Sequence, residues 1–296
     1  MTSDLTPTRK YAIISPVRDE EAHLRLTAQS VVAQTIRPAE WVIVNDGSTD
    51  RTREIIEEYS RQYPWIRAVH RVNRGFRKSG SGVMEAFKDG YRVLGCRDWE
   101  FIVKLDGDLS FGPDYFAKCF EYFDREPRLG IGGGVIYNLM PDGSQKFEHG
   151  GPTFHVRGAT KIYRRGCWVE IGGLWPDTGW DTLDEVKANM RGWLTRNFAD
   201  LTLLQHRATG AADGQWRNLV KNGEANYISG YHPLFMLAKC VSRLRRRPYI
   251  LGSIALAYGF ITGYLRRTRQ VDDPEMIRYL RGQQLRKLAG LETIWK

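Results

Sequence analysis

The sequence predicts an α/β fold: a doubly wound, mostly parallel sheet flanked by helices, followed by a basic helical extension. Three observations predict it. Short apolar runs rich in β-branched residues alternate with stretches of helical periodicity as far as Phe123. Two of those runs stop at carboxylates, Trp41–Val44 at Asn45-Asp46 and Glu100–Leu105 at Asp106-Gly107-Asp108; in open α/β sheets ligands gather at the carboxyl ends of strands. Charge is also uneven: of a net +10, Ala238–Lys296 supplies 13 Lys/Arg against 4 Asp/Glu, which leaves the preceding part close to neutral.

Tyr11–Ser15 reads as the first strand, ended by Pro16, which cannot donate to a ladder. Val17-Arg18-Asp19-Glu20-Glu21 is then a charged loop into a helix whose apolar stripe is Leu24, Ala28, Val31 and Val32. Pro38 marks a turn and Trp41–Val44 a second buried strand. The turn Asn45-Asp46-Gly47-Ser48-Thr49-Asp50 has the side chains to cap a helix over Arg51–Tyr59. Ile66–Val72 is a third strand. A loop with Arg74, Arg77 and Lys78 among glycines leads to a helix with Val83, Phe87 and Leu94 on one face, and the strand ending at Asp106 follows. Beyond Pro113 the spacing predicts a helix over Tyr115–Phe123, a strand over Gly130–Tyr137 and a hairpin-like turn at Pro141-Asp142-Gly143. Gly158, Gly166, Gly172 and Gly173 blur the pattern before a helix that opens near Trp180 and runs to Met190.

At 296 residues, 42% hydrophobic and 26% charged, the chain can bury a sizeable core. Its four cysteines, Cys96, Cys119, Cys167 and Cys240, form no CxxC pair, which argues against a zinc site or disulfide framework and fits a reducing compartment. The first ten residues are polar and read as no secretory signal. The uncharged run Pro248–Leu265 lies between Arg245-Arg246-Arg247 and Arg266-Arg267. At 18 residues it falls just short of a bilayer-spanning helix. A buried core helix is the plain reading, but arginines at both ends favour an in-plane or re-entrant contact with an anionic membrane surface.

Two carboxylates separated by one glycine, as in Asp106-Gly107-Asp108, repel unless a cation sits between them. A calcium loop is excluded, because Phe111 stands where such a loop needs glycine and Ala117 where it needs glutamate. Arg74, Arg77 and Lys78 could meet phosphates, although the loop contains no P-loop motif and three solvated cations are the bland alternative. Asp46 by itself is read more simply as a turn and cap residue.

Taken together, Ile14-Ser15-Pro16-Val17-Arg18-Asp19-Glu20-Glu21, Val42-Ile43-Val44-Asn45-Asp46-Gly47-Ser48-Thr49-Asp50, Val103-Lys104-Leu105-Asp106-Gly107-Asp108 and Val169-Glu170-Ile171-Gly172-Gly173 resemble the family 2 glycosyltransferases. The resemblance is good from Tyr11 to Pro113, patchier from Gly158 to Trp193 and absent in the tail. It implies a GT-A-type, Rossmann-like fold and inverting transfer of a sugar from a UDP-, GDP- or dTDP-sugar. Carried over residue by residue, it puts Pro16, Val17, Arg18 and Glu20 in the nucleoside pocket and Asp46 near the base. By the same resemblance Asp106 lies by the ribose or metal and Asp108 holds Mg²⁺ or Mn²⁺ on the diphosphate, while the loop reading adds Arg74 and Lys78 to the donor site. His206 follows at the distance where some relatives place a late metal-binding histidine; a packed histidine is the alternative.

Inversion needs a general base to accept the acceptor hydroxyl's proton. The family takes it from a Glu-Asp pair opening a helix after Gly-Gly, and this sequence departs from that pattern with Trp180-Asp181-Thr182-Leu183-Asp184-Glu185. Matching Lys187 to the family's arginine puts Asp181 on the base. Asp184 and Glu185 stay open, since first-turn acids also complement the helix dipole. Trp168, Trp175, Trp180 and Trp193 crowd the same half, as sugar- or lipid-facing rings or as core.

The expected organisation is a catalytic domain over 1–212, with its nucleotide-sugar half at 11–112 and its acceptor half at 113–212. A membrane-associating extension over 213–296 completes the chain. The expected acceptor is a glycan or polyprenyl-linked sugar, used for cell-surface polysaccharide or glycolipid synthesis at the cytoplasmic face of the membrane. A nucleotidyltransferase of similar fold is the first alternative, and it would need a glycine-rich loop where Pro16-Val17-Arg18-Asp19-Glu20 stands. A basic module binding nucleic acid is the second. With the charge confined to one end beside an apolar run, nucleic acid is not expected as a partner.

Overall fold

The computed structural model describes residues 9–75, 81–140, 142–147, 151–175, 179–207, 214–245 and 248–295. In chain order the first half runs β1 (Tyr11–Val17), α1 (Leu24–Val32), β2 (Glu40–Asn45), α2 (Thr52–Gln62), β3 (Ile66–His70), α3 (Ser81–Val93), β4 (Phe101–Leu105) and β5 (Leu109–Ser110). Then come α4 (Tyr115–Arg125), β6 (Leu129–Leu139), β7 (Gln145–Phe147), β8 (Thr160–Arg164), α5 (Arg165–Ile171), α6 (Trp180–Met190) and β9 (Leu194–Gln205). The extension contains α7 (Gln215–Ile228), α8 (Pro233–Arg243), α9 (Tyr249–Leu265) and α10 (Pro274–Leu288).

One sheet runs β3-β2-β1-β4-β8-β6-β9-β5, with β7 on β6. Its first four strands are parallel, so the carboxyl ends of β1, β2 and β4 share one edge. β8 is inserted antiparallel to both β4 and β6, which makes the sheet mixed beyond β4. Nothing in the glycine-broken stretch signalled β8, because Thr160-Lys161-Ile162-Tyr163-Arg164 interleaves cations with apolar residues. The expected end of β1 at Pro16 is corrected: the strand continues to Val17, with Pro16 in register with Val44. Pairing with β4 already stops at Ile14, and Tyr11 and Val17 turn their carbonyls toward the β2 side. The missing N–H of Pro16 therefore faces a flank with no ladder.

Helices α1, α2 and α4 cover one face of the sheet through Leu24, Ile56 and Phe120, while α3 and α5 cover the other through Phe87 and Trp168. A third cluster joins Leu183 and Val186 of α6 to Tyr227, Met236, Leu256, Phe260 and Leu280 of the extension. The extension thus shares a core with the helix that carries Asp181. All four cysteines are free. No helix among the described residues is long and apolar enough to cross a membrane. The 17 residues of α9 rise about 26 Å, short of the roughly 30 Å hydrocarbon layer.

Candidate active site

The site grows from the shared edge of β1, β2 and β4, where two sequence motifs are laced together. The Asp46 N–H donates to the Val17 carbonyl (2.9 Å), the Thr49 N–H to the Asp19 carboxylate (2.8 Å), and the Glu20 N–H to Thr52 Oγ1 (2.7 Å). Asp50 accepts from both Glu21 N–H and Thr52 N–H, each at 3.0 Å. Asp19 sits at φ 53°, a left-handed conformation uncommon outside glycine, and its carboxylate and N–H are both used in the lacing. The charged loop and the Asn45–Asp50 turn therefore specify one another's shape.

Asp46 is buried and held by two arginines, Arg71 Nη1 at 2.5 Å and Arg74 Nη2 at 2.5 Å. Arg71 is anchored in turn on Asp89 at 2.9 Å. Two residues assigned separately to the donor site thus form one ion pair. Arg18 reaches Asn73 Oδ1 at 3.2 Å in the same region. Lys78 lies outside the described residues.

β4 ends against β1. A Cβ on Gly107 would stand 2.6 Å from Val17 Cγ1, so only glycine lets the aspartate pair approach the Glu20 loop this closely. Asp106 pairs with the buried Lys104, and burial raises its pKa against that lysine, with Asp108 adding to the rise. Asp108, also raised by burial, accepts from Gln205 Nε2 at 3.0 Å through Oδ2. Its Oδ1 is buried with no hydrogen-bond partner among the described residues. The short β5–β9 ladder brings in His206, whose N–H donates to the Asp108 carbonyl (2.9 Å) and whose Nε2 lies 2.8 Å from Ser110 Oγ. Burial, then the neighbouring His23, lowers the His206 pKa and favours neutral imidazole. Glu20 closes the group: burial, then the charges of Asp108 and Asp106, push it to about 8 against the pull of its ion-pair partner Arg207. Arg207 was not expected; its only sequence signal is that it adjoins His206.

Three carboxyls all raised by burial, two of them further by a neighbouring carboxylate, describe a site short of positive charge. Among the described residues no three acids, histidines or cysteines stand as a ready metal cage. Mg²⁺ at nucleotide sites usually takes one or two carboxylates and completes its shell with phosphate oxygens and water. The unpartnered Asp108 Oδ1, with Asp106 beside it, fits such a donor set, and neutral His206 adds a third group nearby.

In the half expected to meet the acceptor, Asp181 lies in the first turn of α6, partly exposed, its carboxylate without a hydrogen-bond partner among the described residues. Its backbone carbonyl accepts from Lys161 Nζ. The other two acids of the helix are differently placed. Asp184 is 2% exposed and receives Lys161 Nζ at 2.9 and 3.1 Å together with the Tyr163 hydroxyl. Glu185 is fully buried against His155 Nδ1 (2.8 Å), Val156 N–H (2.7 Å) and Lys161 (2.8 Å). These two tie α6 to β8. Among the tryptophans, Trp168 is buried among Phe87, Tyr91, Trp99 and Tyr163, and Trp193 Nε1 donates to Glu170. The Trp180 side chain lies outside the described residues.

A family model described as "Glycosyl transferase family 2" matches residues 12–175, more than half of the chain. The chain is 35% identical over 71 residues to the uncharacterized glycosyltransferase YibD of Escherichia coli, covering 24% of this chain and 21% of YibD. It is 29% identical over 133 residues to the chondroitin synthase of Pasteurella multocida, covering 45% of this chain and 13% of that protein. It therefore spans about a fifth or less of these relatives. Among solved structures, the mannosyltransferase PcManGT from Pyrobaculum calidifontis in complex with GDP-Man and Mn²⁺ superposes with a TM-score of 0.57 at 16% identity, covering 98% of this chain and 78% of that one. S. aureus TarS 1–349 in complex with UDP-GlcNAc gives 0.53 at 17% identity, covering 94% and 81%. These likenesses show the fold.

Proposed function

The chain belongs to glycosyl transferase family 2, and from that membership we propose that it transfers a sugar, with inversion, from a UDP-, GDP- or dTDP-sugar to a glycan or polyprenyl-linked acceptor. The observation that carries the reading is the convergence of Glu20, Asp106, Asp108 and His206 where strands end, with Asp108 Oδ1 buried and unpartnered among the described residues. Relatives of the same fold crystallised with UDP-GlcNAc, and with GDP-Man and Mn²⁺, support a nucleotide-sugar donor and a divalent cation.

In this reading Pro16, Val17, Arg18 and Glu20 line the nucleoside side. Asp46 meets the base, and Arg74, now paired with Asp46, turns toward phosphate when the donor arrives. Asp106 and Asp108, with His206, would hold Mg²⁺ or Mn²⁺, which stabilises the negative charge gathering on the leaving diphosphate. Asp181 accepts the proton of the attacking hydroxyl as the new glycosidic bond forms at the anomeric carbon and the bond to the diphosphate breaks. Its carboxylate is unengaged among the described residues, whereas both Asp184 oxygens are already bonded, which favours Asp181 over Asp184. The setting we assign is the cytoplasmic face of a membrane, in cell-surface polysaccharide or glycolipid synthesis, and the apolar and basic features of the extension support it.

Donor hydrolysis measured across UDP-, GDP- and dTDP-sugars, with and without Mn²⁺, tests the proposal. One donor should be hydrolysed in a metal-dependent manner. The same metal-dependent rate in Asp108→Ala would remove the assignment of the metal to Asp108.

A further inference from the structure

Helix α9 is packed in the reverse sense to a solvated surface helix. Its small residues turn inward: a Cβ on Gly259 would stand 2.0 Å from the Val220 carbonyl oxygen of α7, so the two backbones nearly touch. Apart from Leu256 and Phe260, which join the core, its large apolar residues turn outward. Ile250, Leu251, Ile254, Tyr258, Ile261 and Leu265 are between 50 and 77% exposed. Their spacing of three or four residues draws one apolar stripe along the helix, where a water-facing surface would carry charge. The neighbouring α8, tied to α9 by Ser253 Oγ on the Cys240 carbonyl (2.9 Å), exposes Leu234, Leu237 and Val241 as well. These three line a groove of about 510 Å³ together with Arg245 and Leu288. Large exposed apolar side chains in such number on two adjoining helices mark a contact site.

Charge decides what covers it. From Ala225 to Val271 the chain contains eight Lys/Arg and no Asp or Glu. Arg245 is exposed just before α9, and Arg266 and Arg267 just after it. A second copy of this face would set arginine against arginine, whereas anionic headgroups complement it. Tyr249, Tyr258 and Tyr264 lie on the exposed side of α9, where aromatic rings suit the headgroup boundary. We propose that the α8–α9 face is an in-plane docking surface for an anionic bilayer, with the stripe of α9 among the upper acyl chains and the flanking arginines on the headgroups. The proposal deepens the membrane setting assigned above and rests on that reading, but it is independent of the chemistry.

The test is flotation of the full chain with phosphatidylcholine vesicles, with and without phosphatidylglycerol, at low and high salt. Binding should require phosphatidylglycerol and weaken with salt. It should fall tenfold or more in Ile254→Asn/Ile261→Asn, and several-fold in Arg245→Gln/Arg266→Gln, with unchanged melting in both because all four side chains are exposed. Binding indifferent to phosphatidylglycerol or to both double variants overturns the proposal. So does a wild type that ignores vesicles yet forms, by sedimentation velocity, a dimer that Ile254→Asn/Ile261→Asn dissolves; the face is then a contact between copies. Donor hydrolysis read on the same samples separates the two readings. Vesicle binding without hydrolysis sinks only the catalytic one, and hydrolysis without vesicle binding sinks only this one.

Discussion

Replacing Lys161 with Met removes the ammonium that Asp184 and Glu185 share. Burial alone would lower the Lys161 pKa, but the two carboxylates overcome it and hold it up. Burial pushes Asp184 up to about 6 even with Lys161 attracting its charged form. Burial and the neighbouring Glu185 raise the carboxyl, and the carboxylates raise the lysine against its burial, so a proton is favoured on both partners of this dry pocket. With Lys161 gone, both carboxylates are stranded at 2.8–3.1 Å from where their cation stood. Breaking a buried ion pair from one side costs about 3–5 kcal/mol. At a few degrees per kcal/mol in a chain of this size, Tm should fall by about 10 °C. The pH dependence follows from the same charges. A folded carboxyl whose pKa lies above its unfolded value holds an extra proton between the two, so stability falls as pH rises through that window, from about 4 to about 6 for Asp184 in the wild type. In Lys161→Met the window extends upward, and the deficit against wild type should be smaller at pH 5 than at pH 8. Differential scanning fluorimetry at both pH values is the assay, and adding Asp184→Asn and Glu185→Gln should recover part of the loss. A Lys161→Met protein that melts within about 2 °C of wild type at both pH values would refute the reasoning.

Asp108→Ala should lower metal-stimulated donor hydrolysis by about a hundredfold or more, with a loss of stability of only about 1 kcal/mol, since the Oδ2 bond from Gln205 is broken while Oδ1 strands no described partner. Asp181→Asn should cut sugar transfer by about 10²–10⁴ and leave Tm in place, while Asp184→Asn should act mainly on Tm; the opposite pattern reassigns the base. Gly107→Ala pushes a methyl to 2.6 Å from Val17 Cγ1 and should destabilise the protein by about 1–3 kcal/mol in urea titration. An unchanged midpoint would mean that the β1–β4 approach is looser than described.

The part from Tyr11 to Pro113 was legible because its signals are local. Strand runs, the Asn45–Asp50 turn and the Asp106-Gly107-Asp108 pair are each contained in a few neighbouring residues, and parallel strands separated by helices leave little choice of edge for the acids. Beyond Pro113 the chain hid its order in long-range pairing. β8 lies antiparallel between β4 and β6, a position that no periodicity in Thr160–Arg164 announces. Pro16 misled in the other direction, since whether a missing N–H matters depends on which flank of the strand is paired.

Sequence by itself determined that acids end the strands, that the cysteines form no metal or disulfide pattern, and that an apolar run near the end is bracketed by arginines, because residue identity and spacing carry those facts. Tertiary structure alone decided which acid of α6 is buried. Asp184 and Asp181 are three positions apart on one helix, yet a lysine 23 residues upstream satisfies the side chain of one and only the backbone carbonyl of the other. It also decided that α9 turns its glycines toward α7 and most of its large apolar residues outward, Leu256 and Phe260 excepted. That choice rests on how closely α7 approaches, and backbone approach between helices is set by packing across the whole extension.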